Sequence, residues 1–312
     1  MCDAALRQVD PAAYFKGKTA VIFNTDMGID DALAIMLWKI LGDRKPDYFL
    51  ISPGNTTMEH ALRNIAILKK WTGLTAAVVK GEDLETDEAD AKSRFHGADG
   101  FADISDAVIA REGLTEADFG QYITTRQLKE ELKQFDSVIY YSVGPVTTLA
   151  ELIRDGDILK KIRIAYIMGG GIERFNCPHC TEFNFSKDPA GVKAVLESGL
   201  NIILFPLDIT DTQQVKAADI DALRQAGAPE DIITLLRYNL ASNRQNNIDG
   251  AVMHDSVPVL FTAFPRKFTV KEMKLGSDRF GRTFVSESGT PVLVATAAEE
   301  GLLMENYRRL AK

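Results

Sequence analysis

The chain has 312 residues, 46% of them hydrophobic and 26% charged, with a formal net charge of −8 and three cysteines. These are ordinary values for a globular protein of one or two domains. The acidic balance, without any Lys/Arg run, argues against a nucleic-acid backbone as partner. No apolar run reaches the roughly 18 residues of a membrane helix. The segment Met1 to Arg7 lacks a secretion signal's apolar core. Three cysteines do not make a disulfide framework. The expectation is a cytoplasmic enzyme or binding protein.

In chain order, residues 19–23 form an apolar run that predicts a buried strand, and 32–37 begin a helix. Between them lies Asn24-Thr25-Asp26-Met27-Gly28-Ile29-Asp30-Asp31. Three carboxylates on one strand-to-helix turn sit where open α/β sheets bind ligands. Crowded carboxylates repel unless a cation or proton joins them, and a hard divalent cation suits clustered oxygens. The plain alternative is an Asp-rich helix cap, which one Asp would satisfy.

Further on, 48–52 predicts a strand and 58–71 a helix, with a short strand at 76–79. Residues 81–94, and then His96-Gly97-Ala98-Asp99-Gly100, read as a long loop. A helix is expected at 125–135, a strand at 137–143 and a helix at 146–154. The strand 162–167 ends in Met168-Gly169-Gly170-Gly171, followed by loop to Lys187. A helix starts near Asp188-Pro189, a strand covers 201–205, and two or three helices reach about Asn243. His254-Asp255 opens a helix to Phe261. Strand-like pieces at 267–270 and 291–295 precede a terminal helix at 297–310. The alternation predicts an α/β fold: one domain over 1–312, a mostly parallel central sheet and helices on both faces. Trp38 and Trp71 fall in helices and read as core.

With these motifs in place, the sequence resembles the nucleoside hydrolase family, the calcium-dependent N-ribohydrolases of inosine-uridine preferring type. The resemblance spans nearly the whole chain. It is carried by Asp26-Met27-Gly28-Ile29-Asp30-Asp31, Gly54-Asn55-Thr56, His96 to Gly100, Gly144-Pro145-Val146-Thr147, Met168 to Gly171, Glu182-Phe183-Asn184 with Asp188-Pro189, and His254-Asp255. It implies a Rossmann-like fold and a homodimer or homotetramer acting on a small ribonucleoside. It also implies a Ca2+ site formed by Asp26, Asp31, Asp255 and the backbone carbonyl of Thr147. Asp30, Asn55, Met168, Asn176, Glu182 and Asn184 correspond to the ribose pocket. Asp26 corresponds to the general base and His254 to the acid that protonates the leaving base. His96 as a lid residue, and Tyr238 or Arg244 on the helix before His254, are further candidates for contact with the base. One departure stands out: Asn24 occupies a position that is usually Asp.

The chemistry is coherent with those residue types. N-glycoside cleavage passes through an oxocarbenium-like sugar, by analogy with O-glycosides. A calcium-bound water of lowered pKa, a neighbouring carboxylate to take its proton and a ring of polar groups gripping the ribose would serve it. A metal-dependent nucleoside or ribose binder with weak or no turnover is the alternative, kept open by Asn24. A phosphohydrolase of the Asp-x-Asp-x-Thr kind would need Asp at 24 and Thr at 28, where Asn and Gly stand. Cys177-Pro178-His179-Cys180 has the spacing of a redox pair without a thioredoxin context. It lacks a fourth ligand for zinc and reads as a neutral insert in the pocket loop.

Overall fold

The computed structural model describes residues 6–42, 44–82 and 95–311. Its strands are β1 (Leu6–Arg7), β2 (Thr19–Thr25), β3 (Tyr48–Ile51), β4 (Ala77–Lys80), β5 (Ile123–Thr124), β6 (Ser137–Ser142), β7 (Ile162–Met168), β8 (Ile202–Phe205), β9 (Gln214–Val215), β10 (Ala251–Val252), β11 (Phe268–Ser277), β12 (Thr283–Val285) and β13 (Thr290–Ala298). The main sheet runs β1-β11-β13-β8-β7-β6-β2-β3-β4-β5, with β12 hydrogen-bonded to β11. From β13 to β5 every pairing is parallel. The β1, β12 and β13 pairings with β11 are antiparallel. The expected α/β architecture is therefore present.

The central strands are apolar throughout because both faces are covered. Val21 and Phe23 of β2 and Phe49 and Ile51 of β3 enter one core. Their neighbours Ala20, Ile22, Tyr48 and Leu50 enter the other. This is the period-two alternation of a strand buried on both sides. An aromatic cluster pins the first long helix, Ile29–Leu41, to the sheet. Trp38 lies 5.0 Å from the Phe23 ring and 4.4 Å from the Tyr141 ring, centroid to centroid. Buried aromatics contribute about 1.5–3 kcal/mol each. The start of that helix, where Asp30 and Asp31 lie, is thereby fixed against β2.

Sheet order explains where a site can form. From β2 the chain proceeds to β3, β4 and β5 on one side, then crosses to β6 on the other. The carboxyl ends of β2 and β6 thus flank the point where strand order reverses, the crevice in which doubly wound sheets place ligands. There the Val143 N–H donates to the Asn24 carbonyl at 2.9 Å.

Several expectations are corrected. The terminal helix is shorter than 297–310. Ala297 and Ala298 belong to β13 and pair with Thr269 and Phe268, so the helix is only Leu302–Tyr307, followed by a 3-10 turn at Arg308–Ala311. Alanine's helix propensity yields here to strand pairing. The pieces at 267–270 and 291–295 extend into the long antiparallel pair β11–β13. The loop reaching to Lys187 contains a short helix, Phe183–Lys187, with Glu182 as its N-cap. A helix at Ser105–Glu112 follows the His96 segment. Of the expected long loop at 81–94, residues 83–94 lie outside the described residues.

Candidate active site

The turn after β2 carries a dense set of bonds. Asp31, in the first turn of the helix Ile29–Leu41, accepts from the Thr25 hydroxyl at 2.5 Å, the Asp26 N–H at 3.2 Å and the Gly28 N–H at 2.8 Å. The cap reading of the motif therefore holds for Asp31, but not for its neighbours. Asp26 is fully buried. Its carboxylate accepts from the Asn55 N–H at 2.8 Å and the Asn55 side-chain amide at 3.1 Å. Asn55 is thus a clamp that fixes Asp26. Gly54 is required beside it, because a Cβ there would overlap the Asp26 carboxylate.

Asp255 immediately precedes the helix Ser256–Ala263, which packs on the helix Ile29–Leu41. That contact brings the distant end of the chain to the turn. Carboxylate oxygens of Asp30, Asp31 and Asp255 lie within 4.8 Å of one another. Asp26 stands next to this trio, against Asp31. Burial pushes all four carboxyls above the ordinary carboxylate range. Neighbouring negative charges push Asp26, Asp30 and Asp255 further, whereas bonds from Thr25 and Gly28 hold Asp31 back. Among the described residues, none of the four is paired with a Lys or Arg, and Asp30 Oδ1 is buried without a hydrogen-bond partner. All-oxygen donors, excess negative charge and an orphaned carboxylate oxygen fit a hard divalent cation.

A cleft of about 340 Å³ opens above the cluster, a volume typical of small-molecule sites. Asp30, Asn55, His96, Met168, Asn176, Glu182, Asn184, His254 and Asp255 line it. Asp26 and Asp31 lie beneath, fully buried. The Glu182 carboxylate accepts from the N–H groups of Gly170 (2.9 Å), Asn184 (2.9 Å) and Phe185 (3.1 Å). Burial nevertheless pushes its carboxyl up to about 7. The Asn184 amide donates to the Val143 carbonyl at 2.8 Å and touches Met168. Asn176 Oδ1 accepts from the Phe183 N–H at 3.0 Å. Asp208 lies off the cleft, where it takes the N–H groups of Ile172 and Glu173 at 2.7 and 2.8 Å and so shapes the glycine-rich loop.

Two histidines face the cleft. His96 Nδ1 accepts from the Ile29 N–H at 2.9 Å. Burial pushes His96 down to about 3, so its 3.7 Å approach to Asp30 joins a neutral ring to a carboxyl. His254 Nδ1 lies 2.9 Å from the Thr210 hydroxyl. Burial lowers its pKa too, with Asp211 pulling it back.

The remaining expected residues lie elsewhere. Tyr238 does not line the cleft; its hydroxyl is 3.3 Å from Asp103. Arg244 pairs with Asp249 instead. The face of the helix Glu230–Arg244 that meets the cleft carries Asn239 and Asn243, joined by a 2.8 Å bond from the Asn243 amide to Asn239 Oδ1. Their spacing of four residues, one helical turn, was the available signal. Thr147 opens the helix Thr147–Leu152 and does not line the cleft; its hydroxyl is buried and unpartnered among the described residues.

Asn24 is answered by geometry. Its amide donates to the Ser142 hydroxyl at 2.9 Å and the Pro145 carbonyl at 2.8 Å, and its oxygen accepts from the Ser52 hydroxyl at 2.6 Å. It is a buried strut behind the carboxylates, tying together β2, β3 and β6. A carboxylate could not make the two donations.

Known proteins resemble this chain in sequence and in fold. The profile of the inosine-uridine preferring nucleoside hydrolases matches residues 21–304. A pyrimidine-specific ribonucleoside hydrolase RihA of Klebsiella pneumoniae is 28% identical over 272 residues, covering 84% of this chain and 85% of its own. RihA of Salmonella typhimurium is likewise 28% identical over 84% of this chain and 85% of its own. Among solved structures, a purine-preferring ribonucleoside hydrolase from Gardnerella vaginalis superposes with a TM-score of 0.79 at 20% identity, over 95% of this chain and 99% of its own. An inosine-uridine preferring nucleoside hydrolase from Bacillus anthracis gives 0.76 at 20% identity, over 95% and 99%.

Two outcomes follow from the geometry. Asn24→Ala should lower the unfolding free energy by about 2–3 kcal/mol, because it removes three bonds and orphans buried partners; urea denaturation reads it. Between pH 4.5, the ordinary Glu value, and about 7 the unfolded chain ionises Glu182 and the folded chain does not, so stability falls as pH rises through that window. Relative to Glu182→Gln, the wild type should lose about 3 kcal/mol across it, measured by denaturation at a series of pH values.

Proposed function

The chain belongs to the inosine-uridine preferring nucleoside hydrolase family and is a hydrolase of N-glycosyl compounds, and from that premise we propose that it cleaves ribonucleosides to ribose and free base with the aid of a bound calcium ion. The observation that carries this reading is the buried carboxylate cluster at the floor of a cleft ringed by Asn, Glu and His. Asp31 and Asp255 would hold the cation, with Asp26 beside them and, by the family resemblance, the Thr147 carbonyl as a further ligand. When bound, calcium supplies positive charge that offsets the clustered carboxylates and Lewis acidity toward oxygen.

The chain's own residues account for the remaining steps. Asp30, Asn176, Glu182 and Asn184 hold the ribose hydroxyls, which orients C1 toward the floor of the cleft. Asp26, held by Asn55, takes the proton of the attacking water. The anionic floor favours the positive charge that grows on the sugar as the bond to the base lengthens. His254 passes a proton to the departing base. His254 Nδ1 lies 2.9 Å from the Thr210 hydroxyl, which leaves Nε2 as the atom that carries the proton toward the base. His96, Asn239 and Asn243 stand on the side of the cleft left for the base. A pure binding role draws no support from Asn24, since it lies behind the site and not in the cleft.

Release of reducing sugar from a panel of purine and pyrimidine ribosides, with and without a calcium chelator, tests the activity. Turnover of at least one riboside that is lost to the chelator and restored by calcium is expected; no turnover of any would favour a binding protein. Asp26→Ala should lower kcat by about 10²–10⁴-fold, and full activity in that variant would remove Asp26 from the site. His254→Ala should reduce inosine cleavage by about 10²-fold or more while leaving p-nitrophenyl riboside, whose leaving group needs no proton, within about threefold. An equal loss on both substrates would exclude the acid role.

A further inference from the structure

Cys177-Pro178-His179-Cys180 is a motif that sugar cleavage leaves unused, and it sits on the rim of the cleft. Cys177 lines the cleft beside Asn176, Cys180 is exposed, and neither is in a disulfide. An antiparallel bridge between Cys177 and Thr181 closes the segment. The N–H groups of Asn176 and Cys177 both donate to the Thr181 carbonyl at 3.1 Å. Inside the bridge the chain makes a tight turn over residues 177–180 in which His179 lies outside the helical region. Such a four-residue turn holds its end Cα atoms within about 7 Å, comparable with the roughly 4.4–6.8 Å a disulfide spans. The motif does not present a metal site: among the described residues, only Asp30, Asp31 and Asp255 converge as a ligand group.

The turn is coupled to the sugar pocket. His179 and Cys180 adopt φ of 62° and 57°, a region that residues with a Cβ seldom occupy. The turn is held there by the Thr181 bonds and by His179, which stacks on Phe280 at 4.1 Å between ring centroids. Asn176 precedes it directly, and Glu182 and Asn184 follow. A covalent link from 177 to 180 would reset the turn and move the residues at both of its ends.

We propose that Cys177 and Cys180 form a reversible dithiol–disulfide modification site, and that its oxidation weakens the loop's hold on the sugar end of the cleft. The second half rests on the sugar-pocket reading above. The oxidant is a small-molecule disulfide such as oxidised glutathione. The exposed Cys180 thiolate attacks its S–S bond and expels one glutathione thiolate. Cys177 then attacks the mixed disulfide and expels the second. Two protein thiols are oxidised, one glutathione disulfide is reduced to two thiols, and the two cysteine protons end on glutathione.

The test uses full-length protein carrying Cys2→Ser, incubated with oxidised glutathione, alkylated and analysed by peptide mass. The peptide holding residues 177–180 should be lighter than its reduced form by two hydrogens and resist alkylation, and dithiothreitol should reverse both. KM for a riboside should rise about tenfold, the effect of one displaced hydrogen bond, with kcat within about twofold. With Cys180→Ser added, the reduced protein's KM should be retained, no internal disulfide should form and oxidised glutathione should leave KM unchanged. If riboside turnover is absent, nucleoside affinity by calorimetry replaces KM, and the mass readout stands regardless of activity. A dithiol that remains alkylatable after oxidation would overturn the modification site. A disulfide that leaves KM or affinity unchanged would overturn its control of the cleft.

Discussion

Four carboxylic acids from two stretches of the chain are buried together without a Lys or Arg partner among the described residues. Two unit charges 4.8 Å apart repel by about 3 kcal/mol even at an effective dielectric of about 20. The fold tolerates the cluster because each member is fixed on a rigid element. Asp26 directly follows β2, Asp30 and Asp31 lie in the first turn of a helix nailed down by Trp38, and Asp255 directly precedes a second helix packed on the first. Such an arrangement is stable only with protons or a cation among the oxygens. In the proposed function a bound cation relieves that repulsion.

The sheet decides where the cluster can be. Its central strands bury both faces, so polar groups collect at the carboxyl rim, where β2 and β6 part. The supporting groups are held by hydrogen bonds of their own. Asn24 ties three strands together, Asn55 clamps Asp26, and Glu182 caps a short helix while facing the cleft. Charge is thus concentrated on the floor, and the walls are built largely of amides.

Much of this was legible in the sequence because local rules suffice for it. A continuous apolar run ending in an Asp-rich turn marks a buried parallel strand and its rim, and β2, β3, β6 and β7 were placed to within a residue or two. The residues assigned to the ribose came from family resemblance, since nothing in their spacing shows that Asn176 and Asn55 line one cleft. What failed required tertiary knowledge. On the helix Glu230–Arg244 the expected Tyr238 and Arg244 each miss the cleft-facing residue by one position. One position turns a side chain about 100° around the axis, and the docking that sets that rotation involves residues far away. Likewise Ala297 and Ala298 favour a helix in isolation and are claimed by β13 through pairing with β11.

The central claim is that the Asp cluster is a calcium site. Titration calorimetry of calcium into chelator-stripped protein, in parallel for the wild type and Asp31→Asn, addresses it most directly. One ion should bind per wild-type chain, and the substitution should weaken binding at least about tenfold. A wild-type protein that takes up no calcium yet still hydrolyses ribosides in excess chelator would contradict the account.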